Sequence, residues 1–239
     1  MISVQGVVKR YGRGDGEVPA LRGVSFDLAL GEFLAVVGPS GSGKSTLLSI
    51  LGGLNTPDEG LYTVDGLDVY GLRSEKRADF RREYIGFVFQ SFQLVPYLTL
   101  AENAMLPLVP KKIKSRLKQE MALEALGLVG LADKAWRLPA QTSGGEQERA
   151  AVARAIVNRP PILLADEPTG NLDSATGREV MDALEGLNAA GMTLILVTHN
   201  PEYAGRAGRS LEMLDGRLVE SLRSDPVRPC GEVQSLAER

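Results

Sequence analysis

The feature that most constrains the fold is a glycine-rich octapeptide, GPSGSGKS, over residues 38–45. It follows an apolar run at 33–38 and precedes a helix-like stretch, Lys44–Leu51. An uninterrupted apolar run is typical of a strand covered on both faces. Glycines let the backbone N–H groups converge on an anion, and the helix N-terminus adds positive potential. The octapeptide therefore predicts a phosphate-binding loop between a buried strand and a helix.

Residues of this loop have distinct predicted tasks. Lys44 places a cation on the β- and γ-phosphates of a nucleotide, and the Ser45 hydroxyl can ligate Mg²⁺. The predicted phosphate contacts are Gly38, Pro39, Ser40, Gly41, Ser42, Gly43, Lys44, Ser45 and Thr46.

Two carboxylates, Asp166 and Glu167, end a second apolar run at 162–165. Neighbouring residues on a strand point to opposite sides, so the two side chains can take different tasks. We expect Asp166 to join Ser45 around Mg²⁺ and Glu167 to polarise a water for attack on the γ-phosphate. A plain acidic turn before Pro168 is the alternative, and the phosphate loop upstream favours catalysis.

A second glycine-rich turn, Ser143-Gly144-Gly145-Glu146, opens a predicted helix over residues 146–158. A Ser-Gly-Gly turn at a helix N-terminus is another arrangement suited to anions. One nucleotide does not need this site in addition to a phosphate loop. The sequence therefore predicts that the second turn binds a nucleotide held by another subunit.

The order of apolar runs and helical patterns predicts an α/β protein with a mainly parallel sheet. Residues 1 to about 30 alternate in strand fashion around a glycine-rich turn and predict an N-terminal antiparallel β subdomain. Apolar residues recur every three or four positions over 113–128, which indicates an amphipathic helix. We therefore expect a P-loop NTPase core with an α-helical subdomain, about 91–158, inserted into it.

Composition narrows the class of protein further. The chain has 239 residues, 44% of them apolar, and a net charge of −3, so nucleic-acid binding is not expected. The single cysteine, Cys230, and the absence of a signal-peptide core favour the cytosol. The longest weakly charged segment, 84–110, is interrupted by polar residues and prolines, and we interpret it as a buried or docking surface.

Together these motifs resemble the ATP-binding subunits of ABC transporters over residues 1–221. The resemblance depends on their order along the chain. The matching elements are the loop at 38–45 as Walker A, Gln90 as the Q-loop glutamine, Ser143 to Glu146 as the signature, Asp166 and Glu167 as Walker B with its catalytic glutamate, 171–173 as the D-loop, and His199 as the switch histidine. Tyr11 lies where that family places an aromatic ring on adenine.

The resemblance implies a site with ATP and Mg²⁺. Its catalytic residues are Glu167, His199, Lys44 and Gln90, and its metal ligands are Ser45, Gln90 and Asp166. The further ATP contacts are Tyr11, Gln90, Ser143, Gly144, Gly145, Glu146, Asp173 and His199. Gln90 is also the implied hinge between the core and the helical insertion.

The resemblance further implies that two copies close around two Mg·ATP and drive a separate integral membrane permease. The protein would then lie on the inner face of the cell membrane. Segment 90–110 supplies the expected groove for a permease helix, and Tyr97 is one of its expected contacts. Residues 222–239 are expected to form a flexible tail. An ATPase that regulates a membrane complex without transport stays open, as does a soluble ABC-type ATPase.

Within that family the chain is most similar to the lipoprotein-releasing, macrolide-exporter and cell-division branch. The segments that carry this similarity are 51–60 and 166–173. Two positions depart from the family pattern. Thr142 replaces the usual leucine before Ser143, which predicts looser packing of the turn, and Glu148 replaces a common glutamine.

Overall fold

The structure is a computed structural model that describes residues 1–12 and 14–223, apart from the side chains at 15 and 220–223. Within these residues the strands form two sheets. The strands are β1 (Ile2–Tyr11), β2 (Val18–Leu28), β3 (Phe33–Val37), β4 (Glu59–Val64), β5 (Leu67–Asp68), β6 (Ile85–Val88), β7 (Ile162–Asp166), β8 (Thr193–Val197), β9 (Arg209–Leu214) and β10 (Arg217–Arg223).

The helices are α1 (Lys44–Leu51), α2 (Ser74–Tyr84), α3 (Leu100–Met105), α4 (Ser115–Leu128), α5 (Gly144–Ile156), α6 (Ser174–Ala189) and α7 (Pro201–Ala204). Among the described residues, none of these helices combines the length and the apolar character needed to cross a bilayer.

The larger sheet positions the candidate site. Its strand order is β10-β9-β3-β8-β7-β6, and β3 pairs in parallel with both β8 and β9. Strands β6, β7 and β8 also pair in parallel. The carboxyl ends of five strands therefore meet at one edge, where ligands bind in open α/β sheets. Gly38, Asp166 and His199 follow or end three of these strands at that edge.

The smaller sheet is antiparallel, with the order β2-β1-β4-β5. It confirms the predicted N-terminal antiparallel layer and extends it with β4 and β5, which come from beyond the phosphate loop. Helix α1 lies between the two sheets, and its Leu47, Leu48 and Leu51 are buried in a core shared with strands of both.

The helical subdomain contains α3, α4 and α5, which pack on one another. Their apolar faces form a second core with the larger sheet and include Leu100, Leu126 and Ala150. Helix α4 begins two residues after the predicted start at 113, and α5 begins two residues before the predicted start at 146.

The predicted tail falls largely outside the described part of the chain. Strand β10 continues to Arg223, so residues 222 and 223 belong to the sheet. Residues 224–239, including Cys230, lie outside the described residues.

Candidate nucleotide-binding and hydrolysis site

The phosphate loop connects β3 to α1 and is pressed against both sheets. Gly38 has a φ of 151° and Gly43 a φ of 103°, values that glycine adopts readily. A Cβ on Gly38 would lie 2.1 Å from the carbonyl oxygen of Met213, and one on Gly43 would lie 2.4 Å from that of Ala20. The loop therefore requires glycine at both ends for steric reasons as well as conformational ones.

Lys44 closes the loop from inside. Its side chain is buried, with 5% of the residue exposed, and Nζ donates to the carbonyl oxygens of Gly38 and Pro39, each at 2.8 Å. An ammonium group has three donors, so one remains for a phosphate oxygen. The Ser42 hydroxyl is also buried and has no hydrogen-bond partner among the described residues. Both observations fit a polyphosphate as the occupant of the loop.

Ser45 and Asp166 meet across the floor of the site. The Ser45 hydroxyl donates to Oδ1 of Asp166 at 3.1 Å. Burial raises the pKa of Asp166, and the neighbouring Glu167 charge acts in the same direction, while the Ser45 hydrogen bond and the Lys44 charge oppose it. A divalent cation would relieve this burial penalty by pairing with the carboxylate.

Glu167 turns away from Asp166 toward His199. Its φ is 46°, in the left-handed region that residues other than glycine adopt rarely. Its N–H donates to the carbonyl oxygen of Val197 at 2.9 Å. Oε2 of Glu167 lies 3.3 Å from Nδ1 of His199. Strained backbone of this kind is concentrated at functional sites. The strand end thus aims two adjacent carboxylates at different groups.

A cavity of about 690 Å³ joins these elements. It contains most of the predicted nucleotide contacts, including Gln90, two residues after the end of β6. The lining residues are Tyr11, Ala20, Ser40, Gly41, Gly43, Lys44, Ser45, Thr46, Gln90, Glu167 and His199. Ala20 was not predicted, because it belongs to strand β2 and carries no polar group.

Tyr11 lies at the mouth of this cavity. Its hydroxyl accepts a hydrogen bond from Nδ2 of Asn55, and Nζ of Lys9 lies 5.7 Å from the centre of the ring. Tyr11 as a whole is 44% exposed, so its ring is accessible for stacking.

The second glycine-rich turn lies elsewhere. Ser143 caps α5 by accepting from the N–H of Glu146, whose carboxylate accepts from the N–H of Ser143. Glu146 also pairs with Lys134, which lowers the pKa of its carboxyl. None of the residues 143–146 lines the cavity. The single chain therefore does not bring the signature to its own phosphate loop.

Two other predicted positions have local roles. Asp173 is also outside the lining of the cavity and caps α6 by accepting from the N–H groups of Ala175 and Thr176. The Thr142 hydroxyl donates to the carbonyl oxygen of Pro139 at 2.8 Å. A hydrogen bond therefore closes the signature turn at the position where the family usually has an apolar leucine.

The residues present fit Mg²⁺ with nucleotide. Ser45 and Asp166 offer two oxygen ligands, and Gln90 lies in the same cavity. No group of three or more His, Cys, Asp or Glu within the described ranges could hold a metal ion unaided. A magnesium ion at Ser45 would therefore take further ligands from phosphates and water, as is usual for this metal.

A parallel sheet, a glycine loop with its buried lysine, and a strand-end carboxylate on the loop serine together define a P-loop ATPase. Comparison with known proteins identifies its family. The sequence model described as ABC transporter matches residues 21–170. The chain therefore belongs to the ABC transporter family. It is an ATP-binding and ATP-hydrolysing subunit of that family, with ATP and Mg²⁺ as its cofactors.

Individual relatives agree with this assignment. The ABC transporter ATP-binding protein YvrO of Bacillus subtilis (strain 168) is 43% identical, over 94% of this chain and 98% of that protein. The macrolide export ATP-binding/permease protein MacB of Burkholderia pseudomallei (strain 1710b) is 45% identical, over 92% of this chain and 34% of that protein. The predicted similarity to the macrolide-exporter branch is thereby confirmed.

A solved structure confirms the fold. The dimeric post-hydrolysis structure of the ATP-binding cassette MJ0796, bound to ADP and Pi, aligns with a TM-score of 0.86 and 40% identity. The alignment covers 93% of this chain and 98% of that one.

A second surface, an apolar groove of about 450 Å³, lies where the core meets the helical subdomain. Its lining combines aromatic and aliphatic side chains with three arginines. The lining residues are Gly52, Leu54, Ala78, Arg81, Arg82, Ile85, Phe87, Phe89, Leu106, Pro107, Pro110, Arg154, Ala155 and Asn158. Leu106, Pro107 and Pro110 fall within the segment predicted to dock a partner.

Tyr97, also predicted in that groove, is 78% exposed and lies outside its lining. Other residues of the segment, such as Leu100 and Leu108, are fully buried in the subdomain core.

Proposed function

We propose that two copies of this chain close around two Mg·ATP and that the closing and opening of this dimer moves an integral membrane partner. The observation that carries the proposal is the division of the site. The cavity is lined by residues of the phosphate loop, including Ser45, which is bonded to Asp166, and by the Glu167–His199 pair. Ser143 lies outside it. A second copy supplies the missing helix end by two-fold symmetry.

In this proposal, residues of one chain do the chemistry. Glu167 holds and deprotonates the attacking water, and His199, beside it, fixes that carboxylate and contacts the γ-phosphate. Lys44 stabilises charge on the β- and γ-phosphates. Mg²⁺, when bound at Ser45, Asp166 and Gln90, neutralises charge on the same oxygens. Positioning and electrostatics supply most of the rate, since phosphoryl transfer needs little covalent help from the protein.

The signature acts on the opposite nucleotide. The N-terminus of α5 presents the positive end of a 13-residue helix behind the Ser143–Glu146 capping box. The γ-phosphate then holds the two chains together, and hydrolysis removes this link. Support comes from the MJ0796 cassette, whose post-hydrolysis structure is a dimer.

A mixing experiment tests the sandwich. Lys44→Ala removes the cation of one half-site, and Ser143→Arg blocks the opposite half-site. Each variant alone should be nearly inactive in ATP hydrolysis. An equimolar mixture should recover activity, because each mixed dimer contains one site with both Lys44 and Ser143 intact. A mixture no more active than its two components would contradict the sandwich.

The groove between the core and the helical subdomain supplies the membrane connection. Its lining includes Phe87 and Phe89, which lie just before Gln90. A partner helix bound in the groove would therefore contact the strand that leads into the nucleotide site. Arg81, Arg82 and Arg154 line the same apolar surface. This combination suits a short helix with one apolar face and flanking carboxylates. The MacB relatives, which are ATP-binding/permease proteins, support a membrane partner.

Copurification from detergent-solubilised membranes tests this surface. Arg81→Glu reverses a charge in the groove, and Tyr97→Glu alters an exposed aromatic of the segment 90–110, outside the groove lining. Both should reduce recovery of an integral membrane protein with the tagged chain while ATP binding stays intact. Leu117→Glu, on an exposed part of α4, is the matched control. Equal recovery with all three variants would contradict the docking site.

This partner would hold the chain at the inner face of the membrane. The division of the chain into a cassette over 1–221 with a helical subdomain near 91–158 belongs to the same proposal. The transported or displaced molecule would be selected by the partner.

A further inference from the structure

Arg154 ties the loop after Gln90 to helix α5. Its Nη1 donates to the carbonyl oxygen of Gln93 at 2.5 Å and its Nη2 to that of Phe92 at 3.0 Å. Both acceptors lie within three residues of Gln90 along the chain. The same helix begins at the Ser143 cap. One guanidinium therefore connects the Gln90 loop to the helix that carries the signature.

This loop is held in a conformation that needs support. Gln93 has a φ of 47°. Residues other than glycine rarely adopt this backbone conformation, and it persists where surrounding contacts stabilise it. The carbonyl of Gln93 is one of the two acceptors of Arg154. Other contacts hold the two ends of this loop. Nδ2 of Asn171 donates to the carbonyl of Gln90 at 3.4 Å, and the N–H of Val95 donates to Oδ1 of Asn103 at 2.7 Å. The two-pronged bond from Arg154 is the restraint that acts on Phe92 and Gln93 themselves.

Glu148 lies on the same helix and has no comparable contact. It is 1% exposed, and neither carboxyl oxygen has a hydrogen-bond partner among the described residues. A buried polar group without a partner is costly, and native structures contain few of them. Burial raises the pKa of Glu148 to about 8, and the positive charge of Arg154 acts in the opposite direction.

Other charges near α5 are already engaged. Strand β6 and the turn at 106–108, which pack on α5, carry no charged side chain. On the helices packed against α5, the pairs are Glu102 with Thr99, Arg116 with Glu120, Lys118 with the carbonyl of Val109, Glu124 with Arg159, Arg178 with Glu202, Glu179 with Arg149, and Asp182 and Glu185 with Arg206. Arg154 is the charge that acts on Glu148.

We propose that Arg154 is a positioning residue for the Gln90 loop and that the Glu148 carboxylate is the second acceptor to which its guanidinium moves when the loop is released. The two arrangements exchange one set of acceptors for another. In the first, the loop is held and the carboxyl is unpaired. In the second, an ion pair forms on α5 and the loop is free to move Gln90. The link to hydrolysis rests on the proposed function of Gln90.

Hydrogen exchange of the nucleotide-free protein tests the positioning role of Arg154 and does not require ATP hydrolysis. Arg154→Met removes the guanidinium and keeps the stem. The amide of Val95, which donates to Oδ1 of Asn103 two residues beyond Gln93, should then exchange at least about tenfold faster. Arg159→Met is the matched control, since Arg159 pairs with the exposed Glu124. Within the described part of the chain, it donates to no carbonyl of the 91–95 loop. Equal protection of the Val95 amide in Arg154→Met and wild type would overturn the positioning role, whether or not the chain hydrolyses ATP.

Glu148→Gln tests whether the Glu148 carboxylate is the second acceptor of Arg154. The substitution removes the charge and preserves the shape of the side chain. Above about pH 8 the wild-type carboxyl ionises and attracts Arg154, so protection of the Val95 amide should fall between pH 7 and pH 9. The amide variant should keep its protection over that range. An equal loss of protection in both proteins would overturn the exchange of acceptors.

Steady-state kinetics tests whether the positioning by Arg154 and the ionisation of Glu148 both affect Mg·ATP turnover. Arg154→Met should lower kcat by about 10- to 100-fold with a smaller change in KM, because a displaced loop misplaces Gln90 more than it weakens binding. The fall of kcat above pH 8 should be present in wild type and absent in Glu148→Gln. A change confined to KM would contradict a positioning role. A wild-type protein that does not hydrolyse ATP would instead refute the proposed function, and the exchange experiment would still decide the role of Arg154.

Discussion

Ser45 on α1 and Asp166 at the end of β7 are joined by a hydrogen bond of 3.1 Å, although the whole helical subdomain lies between them along the chain. The bond exists because the helix start and the strand end meet at the same edge of the parallel sheet. The carboxylate is half-buried, and its pKa is raised by that burial. The proposed magnesium site rests on these two oxygen atoms.

Removing either oxygen ligand should weaken binding of ATP only when Mg²⁺ is present. Ser45→Ala and Asp166→Asn should each lose about 10- to 100-fold in Mg·ATP affinity, while affinity measured with a chelator changes little. Titration with a fluorescent ATP analogue measures both. Ser49→Ala is the control on the same helix, because that hydroxyl donates to the carbonyl of Thr46. An equal loss with and without Mg²⁺ would refute a metal role for Ser45 and Asp166.

The Ser143 side chain should have two separable effects, one on stability and one on dimerisation. Ser143 and Thr99 form the same capping box, at the starts of α5 and α3. Replacing either by alanine should cost about 1 kcal/mol of unfolding free energy, measured with urea. Only Ser143→Ala should also weaken ATP-induced dimerisation, measured by light scattering. Equal dimerisation of the two variants would show that Ser143 is only a helix cap.

The stability of the protein should depend on pH through Glu148. Burial raises the pKa of this carboxyl from the ordinary value of 4.5 to about 8 in the folded state. The folded protein therefore keeps a proton that the unfolded chain releases, and stability falls as pH rises from about 4.5 to 8. Relative to Glu148→Gln, wild type should lose about 2–4 kcal/mol across that range. Urea unfolding of both proteins at pH 5.5 and 8.5 measures the difference, and parallel curves would contradict it.

The site was predictable from sequence where its chemistry is local. The phosphate loop and α1 follow from glycine, lysine and serine at fixed spacing, and the structure begins α1 at Lys44 as predicted. The strand-end carboxylates were recognisable because an uninterrupted apolar run precedes them. Each of these signals lies within about ten consecutive residues, so no long-range contact was needed to read it.

Only part of the groove was predictable. Leu106, Pro107 and Pro110 lie in the segment expected to dock a partner, but the other lining residues come from separate segments. Helix α2 is strongly polar, and Phe80 is its one buried residue, so its sequence shows no apolar stripe. Arg81 and Arg82 join Arg154 only after α2 and α5 have packed beside β6. Strand β5 has only two residues and was missed for lack of length.

Buried charge was equally hidden. Glu148 follows the signature and resembles any charged residue on a helix surface. Its burial depends on three helices that pack around α5, and sequence spacing alone does not show which face they cover.

The central claim is that Glu167 activates the water in a dimer closed by ATP. Its carboxylate lies 3.3 Å from His199 and lines the nucleotide cavity. The most direct measurement is ATP hydrolysis by Glu167→Gln beside wild type, with the oligomeric state of both recorded in Mg·ATP. We predict a turnover lower by about 10²–10⁴-fold, with ATP still bound and the variant trapped as a dimer. Hydrolysis by the variant at the wild-type rate would contradict this account of the catalytic centre.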